Sequence, residues 1–213
     1  MAKAGTATVG REVMIKPPNM ETAVLRIVGT APYVQARFSS KAMEMMKAKH
    51  MLGSKAKKGT AKEPRDFNAD YENAKHKSTE GWVGIPAPAF RNAMVSACRL
   101  CGFKMTIGKL SVFVEADGFD AVDGVPLVKI EGDPSPLEMY TRNATGVCDI
   151  RVRPKWDKWA ASVRIRYDAD QLSLSDVCNL MARVGAQVGI GEGRPDSKQS
   201  CGMGWGLFQI EGT

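Results

Sequence analysis

The stretch Val188-Gly189-Ile190-Gly191-Glu192-Gly193-Arg194, followed seven residues later by Gly202-Met203-Gly204-Trp205-Gly206-Leu207-Phe208, decides how this chain is read. Two Gly-apolar-Gly steps flank a short polar, basic segment, and the second runs into a final strand over residues 203–210. Before them, residues 174–186 read as a helix. Ser173 and Asp176 form a capping box, and Val177, Cys178, Met181 and Val184 share one face. A dinucleotide-binding fingerprint needs a strand before its loop, a helix after it, and glycine where Arg194 stands. Here the order is helix, loop, strand. Glycine this dense serves backbone with positive φ or the close approach of another segment. Successive exposed N–H groups in such turns form concavities suited to phosphate, although the same composition also serves a loop that only turns the chain.

Working back from that loop, Ile150 and Val152 alternate with Arg151 and Arg153, and Val163, Ile165 and Tyr167 alternate with Arg164 and Arg166. Read as one hairpin with both apolar sets facing the core, the two strands carry four arginines on the opposite face. Like charges across strands repel, so the arrangement suits an anion lying across it, or four arginines snorkelling on a wet face. Residues 111–116 and 125–130 read as strands joined by an acidic turn with Asp117, Asp120 and Asp123. Phe90, Met94, Ala97, Cys98 and Cys101 fall at helical spacing behind Pro88, and Gly102 ends that helix. Residues 22–30 alternate as a first strand. The order is βαββαβ, an α+β, ferredoxin-like or RRM-like sheet with helices on one face, in a single domain over residues 1–213.

The chain has 213 residues, 44% hydrophobic and 25% charged, with ample material for a core. It has no apolar run of the roughly 20 residues that span a bilayer. The first ten residues lack the apolar core of a secretory signal, so a cytoplasmic location is expected. Of five cysteines, Cys98, Cys101, Cys148 and Cys178 lie in or beside apolar segments and read as reduced, buried thiols. Cys98 and Cys101 have zinc-like spacing without a second pair of ligands. Neither a metal nor a cofactor is expected.

The net charge of +7 argues for an anionic partner. It is concentrated in two places. Residues 37–80 hold eleven Lys or Arg against six Asp or Glu, and residues 149–166 hold six against two. Within the first region, Ser40 can cap a helix to about Leu52, with Met43, Met46 and Met51 on an apolar edge. Residues 53–78 then read as a long mobile loop rich in lysine, able to order on a polyanion.

The segment Ile85-Pro86-Ala87-Pro88-Ala89-Phe90-Arg91-Asn92-Ala93 resembles the I-P-G-S-S-L-K-G-A-L-R segment that opens the first helix of the RAMP superfamily, the CRISPR-associated RNA-binding proteins. Gly189-Ile190-Gly191 and Gly202-Met203-Gly204-Trp205-Gly206 resemble that superfamily's C-terminal glycine-rich loop, and the order of the two motifs matches. The likeness is nearest to the backbone subunit that polymerises along guide RNA, in which a basic insertion in the place of residues 37–80 acts as a thumb. Ala87-Pro88-Ala89 departs from Gly-Ser-Ser and removes hydroxyl donors to phosphate.

The resemblance implies a non-catalytic protein that binds guide-like single-stranded RNA and assembles along it or with other RAMP-type subunits. Phosphate contacts are expected from Lys55, Lys57, Lys58, Arg91, Arg151, Arg153, Arg164, Arg166, Arg194 and Lys198, with Gly189, Gly191, Gly202 and Gly204 shaping the loop. Trp82 and Trp156 are stacking candidates. An endoribonuclease of the same superfamily would use His50 or His76 as general acid or base, or Asp66 or Asp70 with a metal. A viral structural or decoy protein whose basic face meets a protein partner is a third reading. No membrane association is expected.

Overall fold

Alternation sets the central strands. In β1 (Met20–Gly29), Ala23, Leu25 and Ile27 are buried while Thr22 and Val24 face solvent. In β9 (Ala160–Asp168), Ala161, Val163, Ile165 and Tyr167 are buried between exposed or half-buried neighbours. A computed structural model describes residues 15–38, 40–52, 65–142, 148–197 and 202–212 of the chain. It pairs β1 with β9 antiparallel over nine residues, from Met20 opposite Asp168 to Val28 opposite Ala160. β10 (Phe208–Ile210) lies antiparallel on the other edge of β1. The free edge of β9 is shared by β4 (Val112–Glu115), beside residues 164–167, and β6 (Pro126–Glu131), beside Ala160 and Ala161. β3 (Gly84–Pro86) and β5 (Gly118–Phe119) both pair with β6. The fold is α+β, with every pairing antiparallel among the described residues.

Two helices cover one face of this sheet. In α3 (Ala87–Ala97), Phe90, Ala93, Met94 and Ala97 are buried, and in α5 (Leu174–Arg183) Val177, Leu180 and Met181 are buried. Both sets join the inward residues of β1 and β9 in one core. A 3-10 turn over Cys98–Cys101 follows α3 and ends at Gly102, whose φ is +68°. The Ser173–Asp176 capping box starts α5, and a π-helical turn over Val184–Val188 carries the chain into the glycine loop.

The expected arginine hairpin does not form. β8 (Cys148–Trp156) belongs to a second, three-stranded sheet, between β2 (Tyr33–Val34) and β7 (Ser135–Arg142). β8 and β9 are consecutive in sequence but share no ladder. Period-two alternation reports which face of a strand is buried and nothing about which strand pairs with it. Arg151 and Arg153 therefore stand on one sheet, and Arg164 and Arg166 on another.

Other differences are local. The last strand is confined to Phe208–Ile210, because Gly202, Gly204 and Gly206 hold positive φ and keep the preceding residues out of a ladder. Within the basic insertion, α1 (Ser40–Leu52) forms as expected. Residues 65–78, read as loop, contain α2 (Phe67–Asn73), capped by the Asp66 carboxylate on the Asn68 and Ala69 amides. A short helix, α4 (Met105–Ser111), precedes β4. Cys98 is buried, Cys178 half-buried, and Cys101 and Cys148 are exposed, against the expectation of four buried thiols. No helix among the described residues is long and apolar enough to cross a membrane.

Phe90 is fully buried at the centre of this core, whereas Val24 is 64% exposed on the uncovered face of the sheet. Phe90→Ala is expected to cost about 3–5 kcal/mol in urea denaturation, and Val24→Ala less than about 0.5 kcal/mol.

Candidate nucleic-acid interface

The glycine loop is held in place before it does anything else. The Ile190 amide donates to the Gly206 carbonyl (3.1 Å), Glu192 to Val34 (2.9 Å) and Gly206 to Pro32 (2.7 Å). These bonds draw the two Gly-x-Gly steps against each other and against β2. A Cβ on Gly206 would stand 1.8 Å from the Ile190 carbonyl oxygen, and one on Gly191, whose φ is +79°, would stand 2.6 Å from that of Val34. No other residue fits at either position. The Gly191 amide donates to no acceptor among the described residues.

This loop forms one wall of a cleft of about 1290 Å³. Ala89, Asn92, Ala93 and Ser96 of α3 form a second wall, at the spacing i, i+3, i+4, i+7 that lines one helix face. Met139, Tyr140 and Arg151 come from the second sheet, and Gln35 and His76 from the ends of the basic insertion. Of the arginines expected to meet phosphate, Arg151 and Arg194 line the cleft, together with Gly189 and Gly191. Arg194 donates from Nη1 to the Gly191 carbonyl (2.9 Å), and Arg151 Nε lies 3.5 Å from Asp149 Oδ2.

The remaining arginines have other positions. Arg153 Nε donates to Glu192 Oε2 (2.8 Å) and ties β8 to the loop from behind. Arg91 donates to the Val112 and Lys109 carbonyls and lies over the Phe113 ring, joining α3 to the start of β4. Arg164 reaches Asp117 Oδ1 (2.9 Å) and the Ala116 carbonyl on the uncovered sheet face, where Arg166 stands over Phe113. Gly202 and Gly204 take positive φ as the loop returns. Lys55, Lys57, Lys58 and Lys198 lie outside the described residues.

Neither tryptophan is a free platform. Trp156 is fully buried and donates to the Gly132 carbonyl. Trp82 donates from Nε1 to Glu80 and packs where Gly84 and Gly118 leave room. Asp66 is the α2 cap, Asp70 is paired with Arg65, and His50 is exposed on α1.

Asn92, Ser96 and Asp196 are cleft residues that charge counting overlooks. Ser96 Oγ donates to Asp196, and Arg99 Nη2 reaches both Asp196 oxygens at 2.9 Å. The Ser96 hydrogen bond, with Arg99 beside it, holds the Asp196 carboxyl below its ordinary range. Glu192 and Asp196 are thus each matched by a cation outside the cleft's lining, which leaves its sign to Arg194 and to Arg151, the latter beside Asp149. The helical stripe from Ala89 to Ser96 was the signal available in sequence.

His76, within the stretch expected to be a mobile loop, is nearly buried. Its Nδ1 lies 2.8 Å from Asp120 Oδ2, and Arg37 Nε stands 3.4 Å from the same oxygen and 3.6 Å from Asp123 Oδ2. Three groups with metal-ligand chemistry meet here, His76, Asp120 and Asp123. The buried guanidinium supplies positive charge at that point, so the donor set does not fit a metal ion. Burial alone would raise the Asp120 carboxyl. Hydrogen bonds from the Val122 amide and His76, with Arg37 nearby, hold it below its ordinary value instead.

A carboxyl with a depressed folded-state value contributes stability above its unfolded pKa of about 4 and loses it as pH falls through the folded value. Thermal melts from pH 6 to pH 2.5 are expected to show this acid-side loss, and Asp120→Asn to flatten it. At neutral pH the same variant leaves the buried Arg37 with Asp123 as its remaining carboxylate and is expected to cost about 3 kcal/mol.

Compared with models of known protein families and with curated proteins, the sequence matches none.

Proposed function

We propose that this chain is a non-catalytic RNA-binding protein of the RAMP type, which holds guide-like single-stranded RNA along the cleft through its phosphates and assembles side by side on it. The observation that carries the reading is the meeting of the glycine loop, Arg151 and Arg194 with the Ala89–Ser96 face of α3 in one open cleft. These are the two motifs on which the resemblance rests, brought together by the fold from about 100 residues apart. The core also supports it. The sheet path runs β10–β1–β9–β6–β3 with β4 also on β9, and α3 precedes β4 and α5 precedes β10, an order compatible with a ferredoxin-like βαββαβ core that carries added strands.

In this reading phosphate is recognised by the Gly191 amide, which has no acceptor among the described residues, and by two guanidinium groups, and neither depends on base identity. Binding is then sequence-tolerant and falls with salt as counterions are released. Asn92, exposed on the α3 wall, adds an amide able to donate and accept beside that track.

A second reading is favoured by one specific feature: His76 lines the cleft with its Nδ1 on a buried carboxylate, the setting of a general acid or base in an endoribonuclease. The two readings separate on RNA integrity. Purified protein incubated with labelled single-stranded RNA leaves it intact in the first reading. In the second it cuts the RNA, and His76→Ala abolishes the cut.

Arg151→Ala and Arg194→Ala are each expected to weaken binding of a single-stranded RNA and to lower the slope of log K against log salt by about 0.7, the value for one phosphate contact on a single strand. Arg166→Ala, on the uncovered sheet face, is expected to leave both unchanged. Fluorescence anisotropy from 50 to 300 mM salt reads all three, and a loss at Arg166 alone would move the RNA to that sheet face.

A further inference from the structure

His76 stands where the cleft wall meets the base of the insertion. Gly191 packs on Tyr33 and Val34 so closely that a Cβ there would lie 2.6 Å from the Tyr33 ring and from the Val34 carbonyl oxygen. The next residue along, Gln35, accepts from the His76 amide through its side-chain oxygen (2.9 Å). The histidine therefore follows the glycine loop along one wall, and both line the cleft. Its side chain is 12% exposed, and its Nδ1 lies 2.8 Å from Oδ2 of Asp120, which is 1% exposed. Arg37 stands against the same oxygen, with Asp123 beside it.

Asp120 is held ionised by the Val122 and Asp123 amides, which donate to its Oδ1 (2.8 and 3.4 Å), and by Arg37. An ionised carboxylate can only accept, so the Nδ1 it faces carries the ring hydrogen. In the neutral ring Nε2 is then an acceptor and nothing else. Nε2 makes no hydrogen bond to a described residue. It is not sealed in either, because Arg37 Nε and Nη2 are the only buried side-chain nitrogens or oxygens without a partner among the described residues. The other charged and amide side chains of the cleft offer a hydroxyl less. Arg151 and Arg194 only donate. Glu192 and Asp196 are tied to Arg153 and Arg99. Gln35 is fully bonded, its oxygen to His76 and its nitrogen to Tyr33 and Gly84. Asn92 remains as an exposed amide that both donates and accepts.

We infer that His76 is the residue that tells RNA from DNA in this cleft: its Nε2 accepts a hydrogen bond from a ribose 2′-hydroxyl, and Asp120 is the positioning residue that keeps Nε2 an acceptor. The inference rests on the reading of the cleft as a site for single-stranded RNA, and it supplies the discrimination that phosphate contacts lack. Phosphates met by the Gly191 amide, Arg151 and Arg194 are alike in the two nucleic acids, so those contacts alone hold either strand. The 2′-hydroxyl is the group by which a protein separates RNA from DNA at a given site. In this contact the proton stays on the hydroxyl oxygen and no bond of the strand breaks, which distinguishes it from the acid–base role of the nuclease reading.

The test compares short single strands of one sequence, made as RNA, as DNA and as 2′-fluoro RNA, by fluorescence anisotropy at about pH 8, above the titration of an ordinary imidazole. Fluorine keeps the sugar in its RNA-like pucker but cannot donate a hydrogen bond. The unaltered protein is expected to bind RNA about fivefold more tightly than DNA, the effect of one neutral hydrogen bond, and to bind the 2′-fluoro strand as it binds DNA. His76→Asn keeps an N–H within reach of Asp120 and removes the acceptor that faces the cleft. It is expected to bring RNA down to the affinity of DNA and to leave DNA unchanged. A 2′-fluoro strand bound as tightly as RNA would assign the preference to sugar shape and overturn the inference with no variant involved. Equal affinity of the unaltered protein for RNA and DNA would overturn it while leaving the phosphate-binding cleft in place, and equal weakening of both strands by His76→Asn would reduce the histidine to a structural role. Binding of no strand at all would remove the RNA reading and the inference together. RNA that shortens on a gel during the incubation would put His76 into cutting chemistry instead.

Discussion

The geometry depends on one aromatic corner. β8 ends at Trp156 and β9 begins at Ala160, so the chain changes sheets within three residues. Trp156 and Trp159 flank that step, with Tyr33 between them at centroid distances of 5.5 and 5.6 Å. Trp159 continues to Phe208 and Phe208 to Phe90, joining both sheets and α3 in one run of edge and tilted contacts. Each buried indole N–H is satisfied by a carbonyl, Gly132 for Trp156 (3.2 Å) and Ala31 for Trp159 (2.9 Å). The corner admits no added bulk at Gly29, where a Cβ would stand 2.1 Å from Trp159 Nε1. Because Tyr33 is at once part of this corner and part of the cleft wall, the spacing of the sheets and the shape of the cleft are fixed together.

Electrostatics then sorts a basic composition into distinct surfaces. On the uncovered sheet face Arg26 pairs with Glu131 and Arg164 with Asp117, so charge there is largely matched. At the foot of the insertion one buried carboxylate, Asp120, holds both Arg37, where the insertion leaves, and His76, where it returns. Removing either partner strands the other in low dielectric, which is why such clusters hold local geometry better than they add net stability. Arg65, Lys75 and Lys77 of the insertion and Arg151 of the cleft are paired in the same way, with Asp70, Glu72 and Asp149, whereas Arg194 donates to a carbonyl. Summed charge per segment could not have revealed this, since it does not show that Arg153 pairs with Glu192, Arg164 with Asp117 and Arg151 with Asp149.

How much was legible follows the range of each signal. β1, α3, the β4 and β6 strands, the α5 capping box and the glycine loop rest on local patterns, and each stands where the periodicity or the turn residues put it. The Gly-x-Gly spacing was informative because two close backbone approaches exclude a side chain. Pairing of β8 with β7 in place of β9 was not legible, because both choices leave Val152 buried and Arg151 outward. Nor were the burial of Trp156 and the pairing of His76 with Asp120, 44 residues away. Those depend on which segments meet, and meeting is decided by the whole core. Within the cleft, Arg91 drew attention by its charge, but the next residue, Asn92, faces the cleft, because one step along a helix turns the side chain by about 100°.

Gln35 couples these parts. Its amide nitrogen donates to the Tyr33 hydroxyl (3.2 Å) and the Gly84 carbonyl (2.8 Å), and its amide oxygen accepts from the His76 amide (2.9 Å). One buried side chain thus bridges the cleft wall, the start of β3 and the returning end of the insertion. Any force that tilts the insertion must strain this amide or carry Tyr33 with it, since a buried amide deprived of its partners pays the desolvation cost of each lost bond.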